Sequence, residues 1–138
     1  MRIDFHSNVA DTLNYSFRLI RKAYAANSKI TVYHNDTVFL QELDQALWSW
    51  GHTDFLVHVS LPHRLAAETP ILLSNDHRQA CPHRAVLLNL SEQILPYYED
   101  YQRLIEIISP LESARQAGRQ RYRNYQQTGH ELTHIVAA

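Results

Sequence analysis

The feature that most constrains the fold of this chain is an alternation of short apolar runs with longer segments of helical periodicity. The short runs are rich in β-branched and aliphatic residues and are bounded by polar or turn-forming residues, a pattern typical of buried strands. They predict six strands, at Arg2–His6, Lys29–Tyr33, Phe55–Val59, Pro70–Leu73, Ala85–Leu90 and Leu104–Ile108. The polar segments Leu61–Thr69 and Ser74–Arg84 are predicted to be connections.

Three longer segments carry the signals of helices. They are Val9–Ala26 with a cap at Ser7 or Asn8, a segment from Asn35 or Asp36 to about Gly51, and a segment from Pro110 to about Gln127. Gly129 lies where a glycine that ends a helix is expected. The order of elements predicts an α/β fold, with a mainly parallel sheet and helices on both faces. We expect residues 1–138 to form a single domain.

The scarcity of glycine limits what such a fold can bind. The chain has three glycines, Gly51, Gly118 and Gly129, and none lies near another. Phosphate-binding loops need clustered glycines, because the backbone must approach the anion closely and adopt positive φ. We therefore expect a Rossmann-like fold without a nucleotide-binding loop, and a protein without a cofactor.

Charge and cysteine content exclude further classes of protein. The formal net charge of −1 argues against a protein that wraps duplex DNA. The single cysteine, Cys81, excludes an intramolecular disulfide and fits a reducing compartment. The first residues show neither the apolar core of a signal peptide nor the length of a membrane span. We expect a cytoplasmic protein that does not bind a membrane.

The predicted last helix concentrates positive charge. Leu111–Gln127 contains one acidic residue, Glu112, and four basic residues, Arg115, Arg119, Arg121 and Arg123. Arg119, Tyr122 and Arg123 stand at i, i+3 and i+4, so they project from one face of the helix. Two guanidinium groups around a phenol ring form a site for a carboxylate beside an aromatic or apolar group. The alternative is that Tyr122 and Tyr125 form a buried stripe and the arginines a solvated face.

A second candidate surface is aromatic. Trp48 and Trp50 lie near the end of the second predicted helix, and Phe55 opens the next strand. Two tryptophans this close at a helix end are hard to bury together in a small domain, and such aromatic anchors are enriched at interface hot spots. The alternative is that one tryptophan packs in the core and the other packs over a loop.

Three stretches resemble the chi subunit family of DNA polymerase III. The segment Gly118–Gly129 (GRQRYRNYQQTG) resembles the C-terminal R-x-R-Y-(K/R)-x-Y-x-x-x-G pattern of that family. Leu43–Trp48 (LDQALW) and the strand–helix junction LIEIISP are similar to the family as well. The resemblance spans most of the chain in length and in the order of elements, although Ser60–Arg84 contributes little to it.

The resemblance implies a non-catalytic adaptor of the clamp-loader assembly, with a fold that resembles a nucleotide-binding domain and binds no nucleotide. Chi proteins bind the acidic C-terminal tail of the single-stranded DNA-binding protein SSB, which ends in an aromatic residue. Carried over to this chain, the tail site corresponds to Arg119, Tyr122 and Arg123. The family often has lysine at the position of Arg123, so the charge is kept with a different geometry.

Chi proteins also bind the psi subunit, which connects them to the clamp loader. The resemblance places Trp48 and Phe55 on the face that contacts psi. Trp50 is a further candidate on that face, although the match weakens immediately after Trp48. This second surface is separate in sequence from the basic helix, as an adaptor with two partners requires.

A zinc-dependent hydrolase is the alternative function, because His130–His134 (HELTH) is a literal H-E-x-x-H motif. On a helix, His130 and His134 would share one face and Glu131 would activate a metal-bound water. We expect the motif to be fortuitous, because Gly129 directly before it more readily ends a helix than lies inside one. Four residues follow the motif, and a third ligand upstream stays open as an alternative, because the chain has nine histidines.

Two further interpretations follow from local composition. His77, Cys81 and His83 invite a metal site, but their spacing fits no common zinc pattern and predicts a polar surface loop instead. The tyrosine-rich basic helix also raises direct binding of single-stranded nucleic acid as a third possible function. The near-neutral net charge weakens that interpretation.

Overall fold

The computed structural model describes residues 1–50, 55–79 and 81–137 and contains one seven-stranded sheet. The strands are β1 (Arg2–Ser7), β2 (Ile30–Tyr33), β3 (His58–Ser60), β4 (Ile71–Ser74), β5 (Val86–Asn89), β6 (Arg103–Ile107) and β7 (Glu131–Val136). The helices are α1 (Thr12–Ala25), α2 (Thr37–Ser49) and α3 (Glu112–Thr128). The strand order is β3-β4-β2-β5-β6-β1-β7, and every pairing among the described residues is parallel. The predicted α/β fold is confirmed.

The two faces of the sheet carry separate hydrophobic cores. Phe17 and Ile20 of α1 pack with residues of α2 in one core. On the other face Tyr125 of α3 packs against Ile3 and Phe5 of β1. Alternate residues of a strand point to opposite faces, so β1 contributes apolar side chains to the α3 face. The helices therefore lie on both faces, with α3 on the opposite face from the other two.

The start of α1 differs from the predicted cap. Asp11 is the N-cap, and its carboxylate accepts a hydrogen bond from the backbone N–H of Asn14 at 3.0 Å. The predicted caps cannot serve, because β1 extends through Ser7 and Asn8 adopts a left-handed φ of 59°. The helix therefore begins at Thr12.

The second helix begins as predicted, and the strand after it is shorter than predicted. Asp36 caps α2 by accepting hydrogen bonds from the N–H groups of Val38 and Phe39. The predicted end of this helix near Gly51 lies outside the described residues. Residues 55–57 were predicted to be part of a strand, but only His58–Ser60 pairs with β4. None of the described helices has the length and apolar content needed to cross a bilayer.

The strand β7 was not predicted. Gly129 ends α3 in the left-handed conformation, with a φ of 89°, as the sequence indicated. The chain then turns back and Glu131–Val136 pairs in parallel with β1, from Arg2 to Ser7. The result is that the segment carrying the H-E-x-x-H motif forms an edge of the sheet beside the last helix.

A buried ion pair fixes α3 to the sheet. Arg121 Nε donates to Glu106 Oε2 at 2.6 Å, and both side chains are almost completely buried. Arg121 also donates to the carbonyl oxygen of Glu92, and the Tyr125 hydroxyl donates to the same Glu106 oxygen. Burial raises the pKa of Glu106 to about 7, while the charge of Arg121 opposes that shift.

Close packing one turn earlier fixes the same orientation of α3. A Cβ atom at Gly118 would lie 2.7 Å from Ile108 Cδ1, so a larger residue at this position would force the Ile108 side chain to shift. Gly118, Arg121 and Tyr125 are the buried residues of α3. The orientation leaves Arg119 and Arg123 exposed.

We expect Arg121→Met to lower the free energy of unfolding by about 3–5 kcal/mol at pH 8, because the buried Glu106 carboxylate would be left without its cation. With a raised pKa, that carboxyl binds its proton more tightly in the folded protein than in the unfolded chain. The loss should therefore shrink as the pH falls through 7 toward 4.5. Urea unfolding of variant and wild type at pH 8, 6.5 and 5 measures this loss of unfolding free energy.

The matched control is the double substitution Arg121→Met with Glu106→Gln, which removes both charges. Its own free energy of unfolding should lack the rise toward low pH that protonation of Glu106 gives to wild type and, more steeply, to Arg121→Met. A loss in Arg121→Met that is the same at all three pH values would contradict the role given to the pair.

Candidate functional site

A groove of about 600 Å³ opens between α3 and the carboxyl ends of β1 and β7. The helix contributes Arg115, Gly118, Arg119, Tyr122 and Arg123, the sheet contributes Phe5, Ser7 and His134, and Ile108 follows β6. The structure thus brings the three predicted residues Arg119, Tyr122 and Arg123 together in one groove. We call it the α3 groove.

The aromatic part of the α3 groove is Tyr122, which is half-buried. Its ring meets Phe5 edge-on, with centroids 5.0 Å apart and an interplanar angle of 67°. Phe5 in turn packs against Tyr125, which is fully buried. The alternative that both tyrosines form a buried stripe therefore holds for Tyr125 only. Tyr122 packs against the core on one side and lines the groove on the other.

The cations of the α3 groove are exposed and weakly paired. Glu112 lies 3.7 Å from Arg115 and 4.0 Å from Arg119, measured between carboxylate oxygen and guanidinium nitrogen. Exposed pairs of this kind contribute about 0–1 kcal/mol, so a carboxylate from a ligand can replace Glu112. Arg123 has no side-chain partner within the described ranges. Arg121 is not available to a ligand, because its guanidinium is committed to Glu106.

The predicted aromatic residues separate into two groups. Trp48 and Phe55 are 57% and 68% exposed, and their ring centroids lie 5.8 Å apart. Trp48 also contacts the buried His58 ring at 4.9 Å. Trp50 is 42% exposed, and one edge of its ring packs against Phe17 of α1, with centroids 5.2 Å apart. The structure therefore forms an exposed pair of Trp48 and Phe55, which we call the aromatic surface.

Hydrogen bonds of His58 hold the base of the aromatic surface in place. Its Nε2 lies 2.9 Å from Asp44 Oδ1, and its Nδ1 lies 2.7 Å from the carbonyl oxygen of Leu56. With each ring nitrogen within hydrogen-bond distance of an acceptor, the ring is held in one orientation and presents a fixed face to Trp48. The indole is thus positioned before any partner arrives, which reduces the entropy lost on binding.

The two surfaces lie at opposite edges of the sheet. The aromatic surface is beside the edge strand β3, and the α3 groove is beside the edge strand β7. Adjacent strands are spaced about 4.8 Å apart, so the two edges of seven strands are roughly 29 Å apart. Two partners can therefore occupy both surfaces at the same time.

The geometry gives no support to a zinc hydrolase. His130 and His134 are not on one helical face, because residues four apart in an extended strand are separated by about 13 Å. His130 Nε2 lies 3.1 Å from the Tyr98 hydroxyl, whereas His134 Nε2 lies 2.7 Å from the hydroxyl of Ser7. Within the described part of the chain, no three or more His, Cys, Asp or Glu residues are arranged to hold a metal.

The segment with His77, Cys81 and His83 is only partly the predicted surface loop. His77 is exposed, but Cys81 packs against the core. The Cys81 thiol donates to the carbonyl oxygen of His83 at 3.0 Å, and His83 Nε2 lies 2.9 Å from the carbonyl oxygen of Thr69. Burial lowers the pKa of His83. These side chains bond to the loop and its neighbours, and they do not converge on a common point.

The sheet side of the α3 groove was missed by sequence reasoning. Phe5, Ser7 and His134 lie far from the basic helix along the chain, and the parallel pairing of β1 with β7 brings them together. The β-branched residues Thr133, Ile135 and Val136 were the available signal for a strand. No strand was predicted for this segment, which was interpreted only as an H-E-x-x-H motif that we expect to be fortuitous.

Comparison with known proteins agrees with this architecture. The family model described as DNA polymerase III chi subunit, HolC, matches residues 1–133. A DNA polymerase III subunit chi from Pseudomonas aeruginosa is 28% identical, and the match covers 95% of this chain and 93% of that protein. The family match includes all of α3 and the aromatic surface. The chain therefore belongs to the DNA polymerase III chi subunit family.

Proposed function

We propose that this protein is a non-catalytic adaptor of the DNA polymerase III clamp-loader assembly, acting in the cytoplasm during DNA replication. In this proposal the α3 groove binds the acidic C-terminal tail of SSB, and the aromatic surface binds the psi subunit or an equivalent protein. The main support is the α3 groove itself, in which exposed arginines surround a half-buried tyrosine. Neither interaction requires a cofactor.

The lining of the α3 groove suits a short acidic peptide with an aromatic end. The guanidinium groups of Arg119 and Arg123 pair with carboxylates, including the terminal one. The apolar part, formed by Phe5, Ile108 and Tyr122, offers contact for the terminal aromatic ring. A short peptide on so small a surface should bind with roughly micromolar affinity, because ordering it offsets much of the contact energy. Several tails on one SSB assembly would raise the avidity.

The aromatic surface has the composition of an interface hot spot. Trp48 and Phe55 expose two adjacent rings, and Val57 beside them is 36% exposed. Exposed aromatic side chains of this kind carry much of the binding energy in protein interfaces. Trp50 is less suited to this role, because one edge of its ring is already covered by Phe17.

We expect Arg119→Ala and Tyr122→Ala each to weaken peptide binding about fivefold or more, because each removes a charged or aromatic contact worth at least about 1 kcal/mol. Fluorescence anisotropy with a labelled peptide of aspartates ending in phenylalanine measures the affinity. Arg64→Ala is the matched control, since Arg64 is exposed and does not line the groove.

The same titration tests the nature of the attraction. Raising the salt from 0.05 to 0.5 M should weaken the wild-type complex, because the charges are partly exposed and screened. Full affinity in both Arg119→Ala and Tyr122→Ala would remove the α3 groove from the proposal. Tight binding of a single-stranded oligonucleotide without SSB, lost in the same variants, would favour the nucleic-acid alternative instead.

We expect Glu112→Gln to strengthen peptide binding by about two- to fivefold. The substitution removes an anion that pairs with Arg115 and Arg119 and that repels an acidic ligand. Glu68→Gln is the control, because Glu68 is an exposed acid that lies outside the α3 groove. The measurement is the same titration at low salt, and weaker binding by Glu112→Gln would contradict the proposed position of the ligand.

We expect Trp48→Ala and Phe55→Ala to disrupt a complex with psi while leaving peptide binding unchanged. Hot-spot aromatic residues typically cost 2 kcal/mol or more when they are truncated, about a thirtyfold loss of affinity. Co-expression with the psi subunit of the same organism, followed by size-exclusion chromatography, measures the complex. Val38→Ala controls for exposed apolar area, because Val38 is 61% exposed elsewhere on α2. A complex that survives both aromatic substitutions would place psi on another surface.

A further inference from the structure

The wall of the α3 groove opposite the arginines carries a histidine. His134 is exposed on β7, and its Cα pairs with that of Phe5, so both side chains are on the α3 face of the sheet. Its Nε2 lies 2.7 Å from the Ser7 hydroxyl oxygen. This bond orients the imidazole at the carboxyl end of the sheet, where it lines the groove.

The charged and titratable groups facing His134 come from α3. They are the guanidinium groups of Arg115, Arg119 and Arg123 and the phenol of Tyr122, while β1 contributes the neutral Ser7 hydroxyl. Among the described residues, no carboxylate lines the groove, and Glu112 is directed to Arg115 and Arg119. The first anion to meet the imidazole is therefore one that a ligand brings.

The chemistry of the imidazole differs between its two forms. In the neutral ring one nitrogen donates and the other accepts, so the bond to Ser7 uses one of the two. In the imidazolium both nitrogens donate, so one N–H can bond to Ser7 while the other bonds to a ligand carboxylate. Histidine is the side chain whose charge changes between pH 5 and 8 without special perturbation.

We propose that His134 is a further ligand-binding residue of the α3 groove, which makes the capture of an acidic peptide stronger as the pH falls below neutrality. This inference rests on the proposed function. A bound carboxylate favours the imidazolium, so by linkage binding takes up a proton at His134. The protonated ring becomes a further cation on the wall across from the arginines. A bound ligand would then have positive charge on both sides.

The test is the peptide titration carried out from pH 8 to pH 5.5, a range in which the aspartates of the ligand stay ionised. Wild type should gain about two- to fivefold in affinity toward pH 5.5, the size of one partly exposed ion pair. His134→Gln keeps a group that can hydrogen-bond to Ser7 but cannot titrate, so its affinity should rise less than that of wild type over this range. The Glu106 carboxyl, with a pKa of about 7, titrates in both proteins, so the difference between them isolates His134. Circular dichroism checks that this exposed substitution leaves the fold intact.

His130→Gln is the matched control, because His130 bonds to Tyr98 and lies near Glu99 and not in the groove. It should keep the pH dependence of wild type. Calorimetry in two buffers of different ionisation enthalpy gives an independent readout. Near pH 6.5, wild type should take up a fraction of a proton on binding, and His134→Gln should take up less.

The outcomes separate this inference from the function on which it rests. If His134→Gln keeps the wild-type pH dependence, or if that dependence is lost in His130→Gln, the role of His134 is refuted and the α3 groove remains. If wild type binds the peptide equally at all pH values, the same conclusion follows. If wild type binds no peptide at any pH, the proposed function and this inference are both overturned.

Discussion

The candidate site depends on the ion pair between Arg121 of α3 and Glu106 of β6, because that pair sets the rotation of the helix. Successive helical residues turn by about 100°, so Arg119 and Arg123 lie about 40° from each other and point away from Arg121. With Arg121 held against the sheet, those two arginines are exposed and Tyr122 lies at the boundary of the core. An apolar residue at position 121 would fill the space but would not specify the rotation by a directional contact.

Much of the fold was accessible from local patterns. The β-branched runs indicated six of the seven strands, and Gly129 correctly marked the end of α3. The predictions that failed depended on tertiary context. Asn8 looked like a helix cap by residue type, but the extension of β1 places it in a left-handed turn. The strand β7 was not predicted, because this short segment forms a strand only by pairing with the edge of β1. Its H-E-x-x-H spacing suggested a metal motif and gave no indication of that pairing.

The candidate site was predictable only on its helical side. Arg119, Tyr122 and Arg123 follow from helical spacing within one short segment. The same spacing places Arg121 on the opposite side of the helix, but only the buried Glu106 shows which of the two sides faces the core. The contribution of Phe5, Ser7 and His134 to the site also could not be predicted, because no local sequence pattern determines the order of strands in a parallel sheet. The long-range pairing of β1 with β7 supplies them.

The distribution of charge also bears on which kind of ligand the α3 groove suits. The whole chain has 13 lysines and arginines against 14 acids, so beyond the screening length of about 8 Å a polyanion meets almost no net attraction. Proteins that bind duplex DNA through its backbone typically make about 6–10 phosphate contacts, whereas the α3 groove contains Arg115, Arg119 and Arg123. A short peptide can place its few carboxylates within reach of these arginines and its apolar end against Phe5. The charge distribution therefore favours the proposed acidic peptide over nucleic acid as the ligand of the α3 groove.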